Sequence, residues 1–213
     1  MIKQEKLAAI AKQVANCQRC GLFKNATHPV PGDGPATAKV IFIGEAPGFH
    51  EDRKGIPFCG AAGKLLEQLL ELVGLKRKDV FIGNMVKHRP LGNRDPMPEE
   101  IEACRPFLDK QIKIINPKVI VTLGRFSMNK FLPGEFISQN HGRARLVDYV
   151  GNKRIVIPMY HPAAALRSGK IMEELKVDFQ KISEFLQTPK SEDVENQPKE
   201  LELENQEEQL KIL

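Results

Sequence analysis

Three side chains suited to catalysis stand shortly after three short apolar segments of the chain. They are the carboxylate of Glu45, the amide of Asn84 and the imidazole of His161. A carboxylate can take a proton or stabilise a cation, an amide can read the edge of a ligand, and an imidazole can stabilise developing negative charge. Each has a structural alternative: a cap for Glu45, a turn for Asn84 and a hydrogen-bonded loop residue for His161. Because open α/β sheets bind ligands beyond the carboxyl ends of their strands, the shared position favours one catalytic cleft.

The cysteines indicate metal or redox chemistry. The chain of 213 residues has four of them, and Cys17 and Cys20 form a C-x-x-C pair. Small secreted domains use cysteines for disulfide frameworks, but a chain of this length has no need of them. In a reducing compartment, such a pair is typical of a metal or redox site.

The elements that must position these residues alternate along the chain. Short apolar segments predict buried parallel strands, and longer segments with helical apolar spacing predict helices between them. The predicted strands cover 39–43, 79–83, 117–123 and 154–158, and the predicted helices cover 3–15, 61–73, 99–115 and 173–186. This alternation predicts an α/β fold of three layers, α/β/α, with a central, mostly parallel four-stranded sheet.

Charge divides the chain into a basic body and an acidic tail. Residues 1–185 carry 29 Lys and Arg against 19 Asp and Glu, whereas residues 186–213 carry eight acids and three lysines. A basic excess suits a polyanionic partner such as nucleic acid, although a solvated basic surface has the same composition. We predict one folded domain over residues 1–186 and a disordered acidic tail over 187–213.

The chain has the pattern expected of a cytoplasmic protein. It contains no run of 18 apolar residues that predicts a membrane span, and its first residues lack the apolar stretch of a secretion signal. We expect a monomer. Near the end of the tail, Leu210, Ile212 and Leu213 are a candidate contact for a sliding clamp, but their spacing fits no clamp motif well.

Six short blocks, in their order and spacing, resemble the motif set of the family 4 uracil-DNA glycosylases. The blocks cover 44–48, 57–63, 84–90, 104–108, 141–143 and 160–164. The resemblance runs from about Cys17 to Leu186, and six blocks in series are far more specific than any one of them. It implies a monofunctional enzyme that starts base excision repair. Such an enzyme flips uracil out of single- or double-stranded DNA and hydrolyses its N-glycosidic bond.

The resemblance also implies roles for five residues around the flipped base. Phe58 resembles the aromatic platform beneath uracil, and Asn84 resembles the side chain that reads N3–H and O4. The backbone at Ala46 resembles the donor to O2, and His161 resembles the residue that stabilises charge on O2 as the bond breaks. Glu45 resembles the acid that positions the attacking water or stabilises the cationic sugar.

A second set of residues resembles the DNA-binding part of the family. The segment 162–167 resembles the loop that enters the duplex as the base leaves, with Leu166 as a wedge. Arg167 and Lys170 are candidate contacts to the DNA backbone, and Arg143 lies in a further basic loop. Each of these basic side chains has the alternative of an ordinary exposed charge.

The metal site departs from the family pattern at one position. The family holds a 4Fe–4S cluster with four cysteines, and three of these match Cys17, Cys20 and Cys104. The fourth position holds His88, so the resemblance implies a structural cluster bound by three cysteines and a histidine. A three-cysteine cluster and zinc in a Cys3His site are the alternatives. Cys59 falls in another block, where we expect a small buried side chain at the pocket edge.

Two other functions compete with uracil excision. One keeps the superfamily and changes the base to hypoxanthine or mismatched thymine. The other is a non-catalytic protein that binds nucleic acid, with a fold stabilised by a metal. The presence of Glu45, Asn84 and His161 together disfavours the second, and the amide of Asn84 favours uracil in the first.

Overall fold

A computed structural model describes residues 2–187 of the chain, and of Gln187 the backbone alone. The strands are β1 (Val40–Gly44), β2 (Phe81–Asn84), β3 (Val119–Leu123), β4 (Arg145–Tyr149) and β5 (Asn152–Met159). The helices are α1 (Lys3–Ala15), α2 (Phe49–Lys54), α3 (Ala61–Leu72), α4 (Pro98–Ile115), α5 (Arg125–Phe131), α6 (Ile137–Asn140), α7 (Pro162–Ala165) and α8 (Gly169–Gln187). Short 3-10 turns lie at Gly21–Lys24, Arg77–Asp79 and Leu91–Asn93.

The strands form one sheet in the order β2-β1-β3-β5-β4. The first four in this order run parallel, and β4 runs antiparallel to β5. In the register of β1 and β2, Gly44 pairs with Asn84, so the two residues stand side by side at the carboxyl edge. The parallel strands therefore end at one edge, as the cleft hypothesis requires.

Helices cover both faces of the sheet. Alternate residues of β1 face opposite ways: Ile41 and Ile43 belong to one buried cluster, and Val40 and Phe42 belong to another. The first cluster includes side chains of α1, α4 and α5, and the second includes side chains of α3 and α8. The predicted α/β/α layering is thus confirmed. It follows from strands whose two faces are both apolar.

The sheet has one strand more than predicted. All four predicted strands are present, and β4 adds a fifth at the edge beside β5. All five of its residues are exposed or only partly buried, so it lacks the continuous apolar run of the central strands. A tight turn joins β4 to β5 through Val150 and Gly151, whose φ angles are 46° and 81°. Two successive positive φ angles are characteristic of the hairpin turn that suits twisted strands.

The predicted domain boundary falls at the limit of the described residues. Helix α8 is described as far as Gln187, and the predicted acidic tail beyond it lies outside the described residues. The candidate clamp contact at Leu210, Ile212 and Leu213 lies outside them as well. Within residues 2–187, no helix is long and apolar enough to span a membrane.

Candidate active site

A pocket opens at the carboxyl edge of the parallel strands. Its volume is about 310 Å³, and its wall contains all five residues predicted to surround the base. The lining residues are Glu45, Ala46, Pro47, Gly48, Glu51, Phe58, Ala62, Asn84, Pro90, Asn93, Arg94, His161 and Ala163. The fold therefore brings together side chains that are more than 100 positions apart in the sequence.

Gly44 leaves room for two side chains of the pocket wall, Asn84 and Phe58. A Cβ added to Gly44 would lie 2.4 Å from Asn84 Oδ1 and 2.8 Å from Phe58 Cζ. Any larger residue at this position would displace both side chains. The glycine at the end of β1 thus lets Asn84 and Phe58 approach each other across the strand end.

Asn84 presents an acceptor that has no partner in the protein. The residue is 2% exposed, and Oδ1 is one of three buried side-chain polar atoms without a hydrogen-bond partner among the described residues. Of the residues that carry these atoms, only Asn84 lines the pocket. An unpaired buried acceptor destabilises the folded protein by about 1–3 kcal/mol. The pocket is therefore suited to a ligand that donates a hydrogen bond to this atom.

Phe58 lies in the pocket wall in a strained backbone conformation. Its side chain is 5% exposed, and its φ angle is 50°. A residue other than glycine in this region costs on the order of 1–3 kcal/mol and persists only where its surroundings fix it. The ring stacks on His161 with 5.5 Å between centroids and 26° between planes. An aromatic surface is thus available beside the unpaired amide.

His161 is held as a neutral donor. It precedes α7, and its Nδ1 accepts a hydrogen bond from the backbone N–H of Ala163 at 3.1 Å. Because Nδ1 acts as an acceptor, the ring proton of the neutral form lies on Nε2. Burial lowers the pKa of His161 to about 4, although the nearby Glu51 carboxylate acts in the opposite direction. His161 keeps some accessible surface, but its dense surroundings leave the ring little contact with water. The ring is therefore uncharged at neutral pH and can donate from Nε2.

Glu45 has the environment of a weakened acid. It is partly buried in the pocket wall. Burial raises the pKa of its carboxyl, the charge of Asp95 raises it further, and Arg125 opposes both. Arg125 itself pairs with Asp95 at 2.5 Å. A carboxylate with a raised pKa is a better proton acceptor than an ordinary surface carboxylate.

The structure adds pocket residues that the sequence did not single out. Glu51 lies three residues after the first motif block, and this closeness was the only indication in the sequence that it belongs to the pocket. Asn93 and Arg94 come from the loop after β2, and Arg94 forms two hydrogen bonds with Glu100, at 2.6 and 2.9 Å. Their side chains reach the pocket through a turn that no periodic pattern predicts.

The three cysteines proposed as ligands occupy one region of the molecule. Cys17 and Cys20 are partly buried against the same apolar cluster that contains Cys104. The backbone N–H of Lys87 donates to Cys104 Sγ at 3.3 Å. Burial raises the pKa of the Cys104 thiol to about 11. Both Cys17 and Cys20 add to that shift, as expected of neighbouring thiolates.

His88 lies next to this region along the chain. It directly follows Lys87 and is 6% exposed. Burial lowers the pKa of its imidazole, and the charge of Asp52 opposes this. As placed in residues 2–187, no three His, Cys, Asp or Glu side chains converge closely enough to hold a metal ion. The donor types and their neighbourhood fit an iron–sulfur cluster, while the side chains are not gathered around a common point.

Cys59 differs from its prediction. The side chain is only partly buried, and it is not among the residues that line the pocket. Its backbone N–H, rather than its thiol, contributes to the site by donating to Glu51 Oε1 at 3.0 Å. The neighbouring Phe58 occupies the pocket wall instead.

The predicted DNA-binding residues lie on the surface. Leu166 is 48% exposed and directly follows α7, which begins beside His161. Arg167, Lys170 and Arg143 are exposed as well. Lys170 also lies 3.8 Å from Glu174, a distance at which an exposed pair contributes little. The segment that carries Leu166 and Arg167 is therefore accessible and adjacent to the pocket.

One exposed aromatic near the pocket was missed by the sequence analysis. Phe49 is 46% exposed and follows the pocket residue Gly48. The guanidinium groups of Arg53 and Arg89 lie 5.6 and 5.2 Å from its ring centre. An exposed ring beside two cations is compatible with a nucleic-acid surface. The sequence contains no sign of it, because Arg53 and Arg89 stand at unrelated spacings from Phe49.

Comparisons with known proteins agree with this geometry. The family model of the uracil DNA glycosylase superfamily matches residues 31–187. The chain is 47% identical to a type-4 uracil-DNA glycosylase of Sulfurisphaera tokodaii over 87% of each chain. It is also 47% identical to a type-4 uracil-DNA glycosylase of Archaeoglobus fulgidus, over 84% of this chain and 93% of the relative. A type-5 uracil-DNA glycosylase of Thermus thermophilus is 34% identical, over 49% of this chain and 54% of its own. The protein therefore belongs to the uracil-DNA glycosylase superfamily and, within it, to the type-4 (family 4) group.

Proposed function

We propose that this protein excises uracil from DNA by hydrolysing the bond between the base and deoxyribose. The observation that carries this proposal is the buried, unpaired Oδ1 of Asn84 in a pocket walled by Phe58 and His161. Uracil in a duplex is inaccessible, so the nucleotide has to be flipped into the pocket. The type-4 uracil-DNA glycosylases among the relatives support the same activity.

Asn84 supplies the choice of base. Its Oδ1 accepts from uracil N3–H, and its amide N–H donates to O4. Cytosine presents an acceptor at N3 and a donor at C4, so both contacts become repulsive. In a water-excluded pocket, such a mismatch costs about 1–3 kcal/mol for each good pair that is lost. Phe58 offers its ring for stacking, which contributes about 1–3 kcal/mol per base.

His161 and Glu45 act on the reacting atoms. As the C1′–N1 bond breaks, its electron pair moves onto uracil, and negative charge grows on O2. The Nε2–H of neutral His161 donates to that oxygen, and the backbone at Ala46 adds a second donor. A preorganised donor of this kind contributes roughly 3–4 kcal/mol to the transition state.

Water completes the hydrolysis. Its oxygen bonds to C1′, and its proton passes to the carboxylate of Glu45, whose raised pKa suits it as an acceptor. The uracil anion leaves and then takes a proton from solvent. No lysine occupies the nucleophile position in the matched blocks, so the DNA strand stays unbroken at the abasic site.

DNA reaches the pocket over the surface that follows α7. We assign Leu166 to the space left by the flipped base, and Arg167, Lys170 and Arg143 to phosphates. All four side chains are exposed, which the roles require. Contacts of this kind are salt-dependent and independent of sequence. Binding to both single- and double-stranded DNA follows from them.

We also propose that Cys17, Cys20, Cys104 and His88 hold a structural 4Fe–4S cluster. With such a group bound, these four residues would tie the N-terminal segment to the loop after β2 and to α4. Ligands that come from segments so far apart in the chain stabilise the folded state. Zinc in the same site is the alternative. A monomer that acts in the cytoplasm stays our expectation.

One assay tests the activity. The purified protein is incubated with a labelled oligonucleotide that carries one uracil, single-stranded or paired with guanine or adenine, and then with alkali. We expect free uracil and a strand that breaks only after alkali. Substrates with hypoxanthine or a T·G mismatch test the alternative bases. Binding without release of any base would instead support a non-catalytic nucleic-acid-binding protein.

A further inference from the structure

Two oppositely charged side chains hold the backbone that carries Phe58. From one side, Arg77 Nη2 donates to the carbonyl of Pro57 at 2.5 Å, and Nη1 donates to the carbonyl of Phe58 at 3.3 Å. From the other side, Glu51 Oε1 accepts the backbone N–H groups of the next two residues, each at 3.0 Å. Each of the four consecutive residues 57–60 thus has one backbone group bound to a charged partner. Hydrogen bonds with a charged partner are roughly twice as strong as neutral ones.

The backbone at Phe58 needs such support. Its φ of 50° lies in the left-handed region, which residues with a side chain rarely adopt. Helix α3 approaches it so closely that a Cβ on Gly63 would lie 1.7 Å from the Phe58 carbonyl oxygen. A relaxed backbone at this position would move the Phe58 ring within the pocket wall. The ring is useful for stacking only while its orientation is kept.

Arg77 is itself held in place. It begins the 3-10 turn between α3 and β2. Its Nε lies 3.6 Å from Asp33, and its Nη1 lies 3.5 Å from Glu67. The Arg77 side chain is 23% exposed, whereas those of Asp33 and Glu67 are 57% and 47% exposed. Asp33 and Glu67 therefore lie on the solvent side of the guanidinium. The other hydrogen bonds of the guanidinium go to the carbonyls of Pro57 and Phe58.

We propose that Arg77 is a positioning residue for base excision, which acts on the flipped base through Phe58. The proposal rests on the proposed uracil excision, since it assigns a residue to that same pocket. A guanidinium suits this task because it is planar and can donate to two carbonyls at once. A lysine has one ammonium, which is less able to satisfy both carbonyls in a fixed geometry.

A double-mutant cycle with Phe58 separates positioning from general stability. Single-turnover uracil release from single-stranded DNA is measured for Arg77→Met, Phe58→Ala and the double variant. We expect Arg77→Met to lower the rate at least about tenfold, and Arg77→Lys to recover part of the loss. In the Phe58→Ala background, Arg77→Met should change the rate by less than about twofold, because the ring through which it acts is gone. Lys78→Met is the matched control: it removes an exposed charge from the same turn and should leave the rate unchanged.

Each outcome decides the proposal. If Arg77→Met lowers the rate by the same factor in both backgrounds, the residue acts independently of Phe58, and the proposal is wrong. An unchanged rate in Arg77→Met would also overturn it. If urea unfolding shows that Arg77→Met does not fold, the same cycle is run with Arg77→Lys. Failure of the wild-type protein to release uracil would refute the proposed function, whereas an active wild type with an additive cycle would refute only the role of Arg77.

Discussion

Replacing Gly44 with alanine should disable the pocket while the protein stays folded. The added Cβ would lie 2.4 Å from Asn84 Oδ1 and 2.8 Å from Phe58 Cζ. Ordinary contact begins at 3.4 Å, so the amide oxygen has to retreat by about 1 Å and the ring by about 0.6 Å. Both atoms belong to the ends of side chains, so they can move without a change in the sheet. The substitution thus acts on the two groups assigned to the base.

The displacement sets the size of the effect. A misplacement of about 1 Å in a reacting assembly costs about 100-fold in rate, which corresponds to about 2.7 kcal/mol. Overpacking lowers the free energy of unfolding by about 1–3 kcal/mol. Part of this loss is offset, because Gly44 has no positive φ and alanine there restricts the unfolded chain by about 0.4–1 kcal/mol. We expect activity to fall about 100-fold and the free energy of unfolding to fall by at most about 2.6 kcal/mol, which leaves the protein folded.

Single-turnover uracil release and urea unfolding, measured side by side, test this expectation. Gly83→Ala is the control, since it adds the same methyl group one position away on the neighbouring strand. Its Cβ would lie 3.5 Å from Phe81 Cε1 and 3.7 Å from Lys87 Nζ, both ordinary contacts. The control should stay within about threefold of wild type. If Gly44→Ala also stays within about threefold while folded, the pocket does not bind the base as we describe.

Four further changes test the assigned roles. Asn84→Asp should lower uracil excision about 100-fold, because a carboxylate cannot donate to O4; an unchanged rate in the oligonucleotide assay would contradict its role as reader. His161→Ala should lower the single-turnover rate about 100- to 1,000-fold, because the charge that His161 stabilises exists mainly in the transition state. DNA affinity, measured by fluorescence anisotropy, should fall by less than about threefold. Equal losses of rate and affinity would refute the role. The rate of the wild type should fall as pH drops through the raised pKa of Glu45, because the carboxylate is the active form. Glu45→Gln should be slow, and its rate should not fall with pH until the region near pH 4, where His161 titrates. If the fall at higher pH persists in the variant, it belongs to another group. His88→Ala should lose iron, acid-labile sulfide and thermal stability together, while His88→Cys keeps them; colourless protein with one zinc would rule out the cluster.

The central fold was predictable because it depends on strong local signals. Each of the four parallel strands contains a short run of residues that is buried on both faces. The edge strand β4 was missed because solvent covers much of it and its sequence mixes charged and apolar residues. Short helices such as α2 and α7 carry too few residues for a periodic pattern, so they became evident only in the structure.

The candidate site was predictable where a strand positions the side chain. Asn84 ends β2 and Glu45 follows β1, so the sheet itself brings them to one edge. Arg77 was not predictable, because it reaches the Phe58 backbone from a turn after α3. Contacts between a side chain and a distant carbonyl leave no mark on sequence periodicity. For Cys17, Cys20, Cys104 and His88, the sequence likewise gives the donor types but not the distances between them.

The sheet order explains why the two central strands are followed by or end in glycine beside the pocket. Asn84 ends β2, and His161 follows β5, while β1 and β3 lie between these strands. Three strand spacings separate β2 from β5, which amounts to about 14 Å. Two side chains that reach inward from such a distance can leave room for a flat base only if the strands between them keep short side chains at their ends. Gly44 ends β1, and Gly124 directly follows β3. A Cβ added to Gly124 would lie 3.3 Å from the Cβ of His161. The opening for the base is thus a consequence of two glycines at central strand ends, with the recognising groups placed on the strands outside them.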